Sequence, residues 1–322
     1  MSPASLKGQS NRRLYPLGSS RKGLAILLML VSVVIVSGCT SGGPSTGPGV
    51  QILQWEPDLA QVDSGEHVKL IFEVQNQGTE EALNVFSRLS GIDPNDWAPI
   101  SPSTDILLND LLPFDQRTGT PGATETDIYD LLAPELPEGI RQTYSPTLSI
   151  YYTYRTTASK QITIVNEDEL SVLAQQGKSL PTQPSQSSSG PMTIQINTPG
   201  PVRAVTTGFT GFKTFPIQFD IRNIGGGYLT TIDDHTFDNK VLMSVDLPAG
   251  LDFTTPDCEA LRSGDFVDII NGIERKITCE IQITAPPAIS EQKNIITFLD
   301  YDYRIDRTTQ VEVHGTGTIR GF

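Results

Sequence analysis

Two blocks of this chain recur at nearly one spacing, and that restricts its fold more than any single motif. Phe72-Glu73-Val74-Gln75-Asn76-Gln77-Gly78 returns 147 residues later as Phe219-Asp220-Ile221-Arg222-Asn223-Ile224-Gly225. Tyr152-Thr153-Tyr154-Arg155 returns 149 residues later as Tyr301-Asp302-Tyr303-Arg304. Beyond it, Gln161-Ile162-Thr163-Ile164 matches Gln310-Val311-Glu312-Val313 at the same 149. Ala133-Pro134 and Ala285-Pro286 precede the two tyrosine blocks. Separated blocks that hold one offset describe a duplicated unit with loop insertions, so one local structure must serve both halves.

The local pattern is β. Val68, Leu70, Phe72 and Val74 alternate with mostly polar partners. So do Phe215, Ile217, Phe219 and Ile221; Leu148, Ile150, Tyr152 and Tyr154; and Ile277, Cys279, Ile281 and Ile283. A period of two puts each set on one face of a half-buried strand. Asp63-Ser64-Gly65, Asn76-Gln77-Gly78 and Pro248-Ala249-Gly250 supply turns. Pro216 lies within an otherwise good strand and places it at an edge or at a strand start. With 28 Gly, 23 Pro and only 19% charged residues, the composition suits short strands and turns. The predicted fold class is all-β: two tandem Ig-like antiparallel β-sandwich domains over residues 50–166 and 192–322. Between them, Asn166 and Glu169 are spaced as a capping box and Gly177 as a stop, predicting a short helix at 167–176. Ser179 to Pro191 follows as a Pro/Ser/Gln linker, too polar to fold alone, so the halves are expected to fold separately.

The first 38 residues read as an export signal. They carry five basic residues and no acid, then the apolar run Gly23 to Val36. As a helix that run spans about 21 Å, short of the ~30 Å hydrocarbon core. Val36-Ser37-Gly38-Cys39 resembles the prokaryotic lipobox, in which Cys39 would be lipidated and become the first mature residue. Residues 39–49 then form a Gly/Ser/Thr/Pro tether. The alternative is an uncleaved signal anchor with Cys39 a bystander. The whole chain carries −14; without its signal it keeps 18 basic and 37 acidic residues, a charge of −19. That charge argues against nucleic acid as a partner and against a membrane surface held by basic residues.

The run Gln75 to Val85, a strand ending in Asn-x-Gly followed by a polar pair and a second apolar strand, resembles the start of the CARDB family. The resemblance implies Ig-like domains of prokaryotic surface proteins, with a binding or spacer role and no catalysis. Combined with the lipobox, the tandem arrangement resembles surface lipoproteins of prokaryotes, archaea among them. Repeat 2 departs from the motif, because Asn223-Ile224-Gly225 runs into Gly226-Gly227 and an acidic stretch. A long insertion, Gly91 to Thr124, interrupts repeat 1.

Candidate chemistry is sparse. Asp233, Asp234, His235 and Asp238 could offer oxygen and imidazole ligands, but their spacing fits a solvated acidic loop better than a Ca²⁺ loop. Asp300, Asp302 and Asp306 read as the solvent face of a strand. Trp97 reads as core packing in preference to a binding anchor, and the four repeated tyrosines read as inward strand residues. His67, His235 and His314 have no matched Ser or Cys motif, and no nucleophile elbow, phosphate loop or zinc spacing occurs. Catalytic residues, metal ligands and cofactors are therefore expected to be none. With Cys39 used for lipid, Cys258 and Cys279 remain and are expected to form a disulfide on the exported side. The expected function is that of a non-enzymatic, lipid-anchored protein on the extracytoplasmic side of the cell membrane. It would act in binding, adhesion or scaffolding, with a protein or polysaccharide partner at the cell surface. The alternative is an accessory subunit of a membrane-associated transport or secretion complex.

Overall fold

The computed structural model describes residues 48–180, 182–204, 213–231 and 238–317. The signal, Cys39 and most of the tether lie outside the described residues, as do Asp233, Asp234 and His235. Repeat 1 contributes β1 (Val50–Pro57), β2 (Gln61–Asp63), β3 (His67–Asn76), β4 (Leu83–Ser90), β5 (Ile100–Ser101), β6 (Asp105–Leu107), β7 (Thr124–Leu132), β8 (Arg141–Tyr144) and β9 (Thr147–Asn166). The connection holds α1 (Glu167–Gln175) and β10 (Gln186–Ser187). Repeat 2 contributes β11 (Met192–Asn197), β12 (Val202–Ala204), β13 (Lys213–Asn223), β14 (Tyr228–Thr230), β15 (Lys240–Asp246), β16 (Leu251–Phe253), α2 (Pro256–Glu259), β17 (Asp265–Asp268), β18 (Glu274–Ile283), β19 (Ser290–Thr308) and β20 (Val311–His314).

The chain is all-β, built of several mainly antiparallel sheets. Each repeat has its own four-stranded sheet, β1-β3-β7-β5 in repeat 1 and β11-β13-β18-β16 in repeat 2. The repeats share one larger sheet, ordered β17-β15-β19-β9-β4-β6, in which β9 and β19 pair over nineteen residues. That order reads as a palindrome, because the two edge strands, the two next strands and the two central strands correspond between repeats. In repeat 2 the counterpart of β4 is split: Thr230 opposite Asp302 answers Leu83 opposite Thr153, and Met243 opposite Leu299 answers Ser87 opposite Ile150. Thr230 and Met243 are 13 residues apart in sequence, where Leu83 and Ser87 are 4 apart.

The alternating sets expected from sequence face inward. Val68, Leu70, Phe72 and Val74 are fully buried, as are Ile217, Phe219 and Ile221. In repeat 1 the core centres on Tyr129, tilted against Phe72 at 5.7 Å and edge-on to Trp55 at 6.2 Å. The polar atoms of these rings find partners as they enter the core: Trp55 Nε1 donates to the Pro146 carbonyl at 3.1 Å, and Tyr129 Oη lies 2.7 Å from Ser87 Oγ. Trp97 packs edge-on against Tyr144 at 5.1 Å and is 1% exposed, so the long insertion plugs the sandwich there.

Pro216 sits mid-strand in β13, which is flanked by β11 and β18, so the strand is not at a sheet edge. The conflict is resolved locally. β11 ends at Asn197, opposite Gln218, before it reaches Pro216. On the other side, Glu280 opposes Pro216 but directs its own backbone groups to Thr254 N and Thr255 Oγ1. No ladder bond is asked of the proline nitrogen.

Helix α1 forms where the capping pattern placed it. Asn166 Oδ1 accepts from Asp168 N at 3.1 Å, and Gly177 takes φ +65°. The connection after it is not free chain. β10 pairs with Ser159 and Ala158 of β9, Ser188 N donates to the Thr157 carbonyl at 2.8 Å, and Lys160 Nζ donates to the Gln183 carbonyl. The polar composition is satisfied by the edge of a strand, which sequence periodicity does not reveal.

Candidate functional site

The repeated Asn-x-Gly and Tyr residues meet in space and form the same lock twice. In repeat 1, Asn76 is fully buried at the end of β3. Its Nδ2 donates to the carbonyls of Glu80 (2.8 Å) and Leu111 (2.9 Å), while its Oδ1 accepts from Gly78 N (3.0 Å). Tyr154 Oη accepts from Glu80 N at 3.2 Å and donates to the Ser189 carbonyl at 3.1 Å. In repeat 2, Asn223 Nδ2 donates to the carbonyls of Gly227 and Gly272, both at 3.0 Å. Asn223 Oδ1 accepts from Gly225 N (3.2 Å) and from Tyr303 Oη (2.6 Å), and Tyr303 accepts from Gly227 N (2.8 Å). The glycine is required by close approach: a Cβ on Gly78 would collide with the Tyr154 hydroxyl, and one on Gly225 with Pro191 and the Tyr303 hydroxyl. An amide can bridge backbone donors and acceptors at once, so the motif closes an otherwise unsatisfied turn.

Tyr152, Tyr154, Tyr301 and Tyr303 form a buried square across β9 and β19. Ring centroids are 5.8 Å apart for Tyr152–Tyr303 and 6.2 Å for Tyr154–Tyr301. Tyr301 Oη accepts from Met192 N at 3.2 Å and meets Thr156 Oγ1 at 2.8 Å. Burial holds every one of these phenols neutral, and it pushes Tyr154 and Tyr303 up to about 12. Tyr154, Tyr301 and Tyr303 serve as hydrogen-bonding struts and Tyr152 packs by its ring; none is a proton carrier near neutral pH. In the unfolded chain a phenol ionises near 10. Stability from these groups is therefore full below pH 10 and is lost as pH rises from about 10 to about 12. The urea midpoint should fall across that window, and the Tyr154→Phe protein should fall less steeply. Equal slopes in both proteins would contradict the assignment.

The outward face of the shared sheet carries charge and aromatic area in rows. Tyr228, Arg304, Tyr151, Phe86 and Leu107 stand side by side across five strands. Phe86 and Tyr151 stack at 4.7 Å, and the Arg88 guanidinium lies over both, 5.8 and 5.5 Å from their centroids. Arg304 lies 5.8 Å from the Tyr151 ring and 5.3 Å from that of Tyr228. Carboxylates pair with the cations: Asp105 with Arg88 (2.9 and 2.8 Å), Asp300 with Arg155 (2.6 and 3.1 Å) and Asp306 with Arg304 (2.8 Å). These bonds raise the Arg88 and Arg155 pKa values, so both stay charged. Asp300 and Asp306 thus sit on the strand's outward face, as the alternation implied. Sequence reasoning assigned no role to Arg155 or Arg304, although both close the repeated tetrapeptide. Their recurrence was the available signal.

Cys258, on α2, is bonded to Cys279, on β18, with Cα atoms 6.1 Å apart and both side chains buried. Asp238, the described member of the acidic loop, pairs with Lys240 at 3.5 Å. His67 and His314 each bond a neighbouring carboxylate at 2.7 Å, Asp130 and Glu312 respectively. Among the described residues, no three His, Cys, Asp or Glu side chains gather as a metal site.

No protein-family model and no curated protein matches the chain. Among solved structures, the CupB6 tip adhesin from Pseudomonas aeruginosa is 10% identical, covering 86% of this chain and 94% of its own, with a TM-score of 0.14. The Enterococcus faecalis MSCRAMM ACE is 8% identical, covering 86% of this chain and 98% of its own, with a TM-score of 0.12. At TM-scores of that size neither likeness decides fold or function.

Proposed function

We propose that this chain is a non-enzymatic surface lipoprotein, tethered through Cys39, that works as a binding or adhesion scaffold. One observation carries the reading. The recurring Asn, Gly and Tyr residues are spent on the fold itself, in two similar Asn–Gly–Tyr locks and a buried tyrosine square. Residues engaged in that way build a stiff body and leave recognition to its surfaces. The outward rows of the shared sheet, with stacked rings and paired guanidinium groups, offer flat area and hydrogen-bonding capacity of the kind found at protein interfaces.

Anchoring is tested by fractionation. The wild-type protein is expected to partition into detergent, and Cys39→Ser to move to the soluble fraction or remain an unprocessed precursor. Mass spectrometry that found an unmodified N-terminus beyond Cys39 would reject the lipid anchor. The binding role is tested by recovery of partners from membranes with wild type and with Arg88→Ala/Arg304→Ala in parallel. Loss of a specific partner in the variant supports the outward rows as the surface, and an identical set of partners rejects them.

A further inference from the structure

The contacts between the repeats obey a two-fold rule. From Arg141 opposite His314 to Val165 opposite Ser290, strands β8–β9 and β19–β20 keep one antiparallel register. At its centre Thr153 faces Asp302, and these residues are 149 apart, the spacing of the repeat itself. Each is therefore the other's counterpart, and a pseudo-two-fold axis passes between them. Tyr152 opposite Tyr303 and Tyr154 opposite Tyr301 are consequently the same contact made twice. The short strands follow the same rule. β2 of repeat 1 lies parallel on β20, with Val62 opposite Val313; β12 of repeat 2 lies parallel on β9, with Val202 opposite Ile164. Ile164 and Val313 are 149 apart, so each repeat hands a strand to the same place on the other. Reciprocal contacts of this form define an isologous interface, one patch used by both partners.

The seam also discriminates. On its outward face, Ser149, Tyr151, Thr153, Arg155 and Thr157 of repeat 1 carry +1, while Phe298, Asp300, Asp302, Arg304 and Asp306 of repeat 2 carry −2. The observed pairing sums to −1. Pairing repeat 2 with a second repeat 2 would bring −4 together; Asp300 would face Arg304 on either side, so the repulsion falls on the axis, where Asp302 would oppose Asp302 and directly opposed like charges destabilise a strand pair. Arg155 and Arg304 are counterparts as well; one meets Asp300 and the other lies over Tyr151, so both cross-strand partners suit a guanidinium.

We propose that the seam is a homodimer interface folded into one chain: the partner it fits is another copy of the same repeat, and the charge at the axis selects repeat 1 with repeat 2 over repeat 2 with itself. The test uses the full chain with a protease site placed in the connection at Lys178 to Gln183. After cutting, native mass spectrometry should find the two repeats still joined one to one. Two cut preparations, one isotope-labelled, are then mixed through mild denaturant and returned to low salt. Pairs of repeat 1 with repeat 2 should dominate. Asp302→Thr, which gives repeat 2 the axis residue of repeat 1, should raise repeat 2 self-pairs roughly threefold, and high salt should raise them in the unsubstituted protein. Cut repeats that separate as folded monomers would overturn the interface. Self-pairs equally common with and without Asp302, and indifferent to salt, would overturn the selection.

Discussion

Asn76→Ala should destabilise the folded body by about 3–5 kcal/mol, among the largest effects of any substitution outside the apolar core. The alanine leaves the carbonyls of Glu80 and Leu111 and the amide of Gly78 without the partner they have now. Such a backbone group costs roughly 1–3 kcal/mol when orphaned in a buried place, as at Leu111 and Gly78, and less at the half-buried Glu80. Asn76 is fully buried, so solvent screening does not soften the loss. Asn76→Asp keeps the acceptor for Gly78 but presents oxygen to two carbonyls, and it should also be strongly destabilised. Asn223→Ala should destabilise in the same direction but by less, because its Nδ2 also bridges two carbonyls while the residue is only half-buried. Urea unfolding midpoints measure all three. A loss below about 1 kcal/mol for Asn76→Ala would mean that the motif merely marks a turn and does not hold it.

Reduction of Cys258–Cys279 should lower the melting temperature of the entire described body in a single step. The bond closes a 21-residue separation, worth about 3 kcal/mol in the chain-entropy model. For a body of this size that corresponds to a shift of roughly 5–10 °C. Two independent sandwiches would respond differently, with repeat 2 shifting and repeat 1 unmoved. The shared sheet argues for one transition: buried residues of both repeats join one apolar core, and the described residues fall within one compact unit. Separating the repeats would also expose β9 and β19 as long unpaired edges, which are prone to association. Calorimetry with and without reductant distinguishes the cases. Two resolved transitions, only one sensitive to reductant, would show that the seam does not couple the repeats.

The duplication, the β period, the inward faces of the strands, the helix cap at Asn166 and the disulfide partners were all legible in sequence. Each depends on local order or on residue chemistry: a period of two selects a face, an Asx residue before an acidic turn caps a helix, and Cys258 and Cys279 are the two cysteines that fall within the repeats. Asn76, Gly78 and Tyr154 were visible as recurring residues, yet not as one lock, because 74 residues separate Glu80 from the tyrosine that holds it. The pairing of β9 with β19, the docking of the polar connection onto β9 and the reciprocal loan of β2 and β12 were decided only in the tertiary structure. Strand alternation states which face is buried but is silent about which edge is paired, since backbone hydrogen bonds are the same for every residue except proline. The duplicated sequence determined that this chain has two copies of one unit; edge pairing around Thr153 and Asp302 decided that they share a sheet.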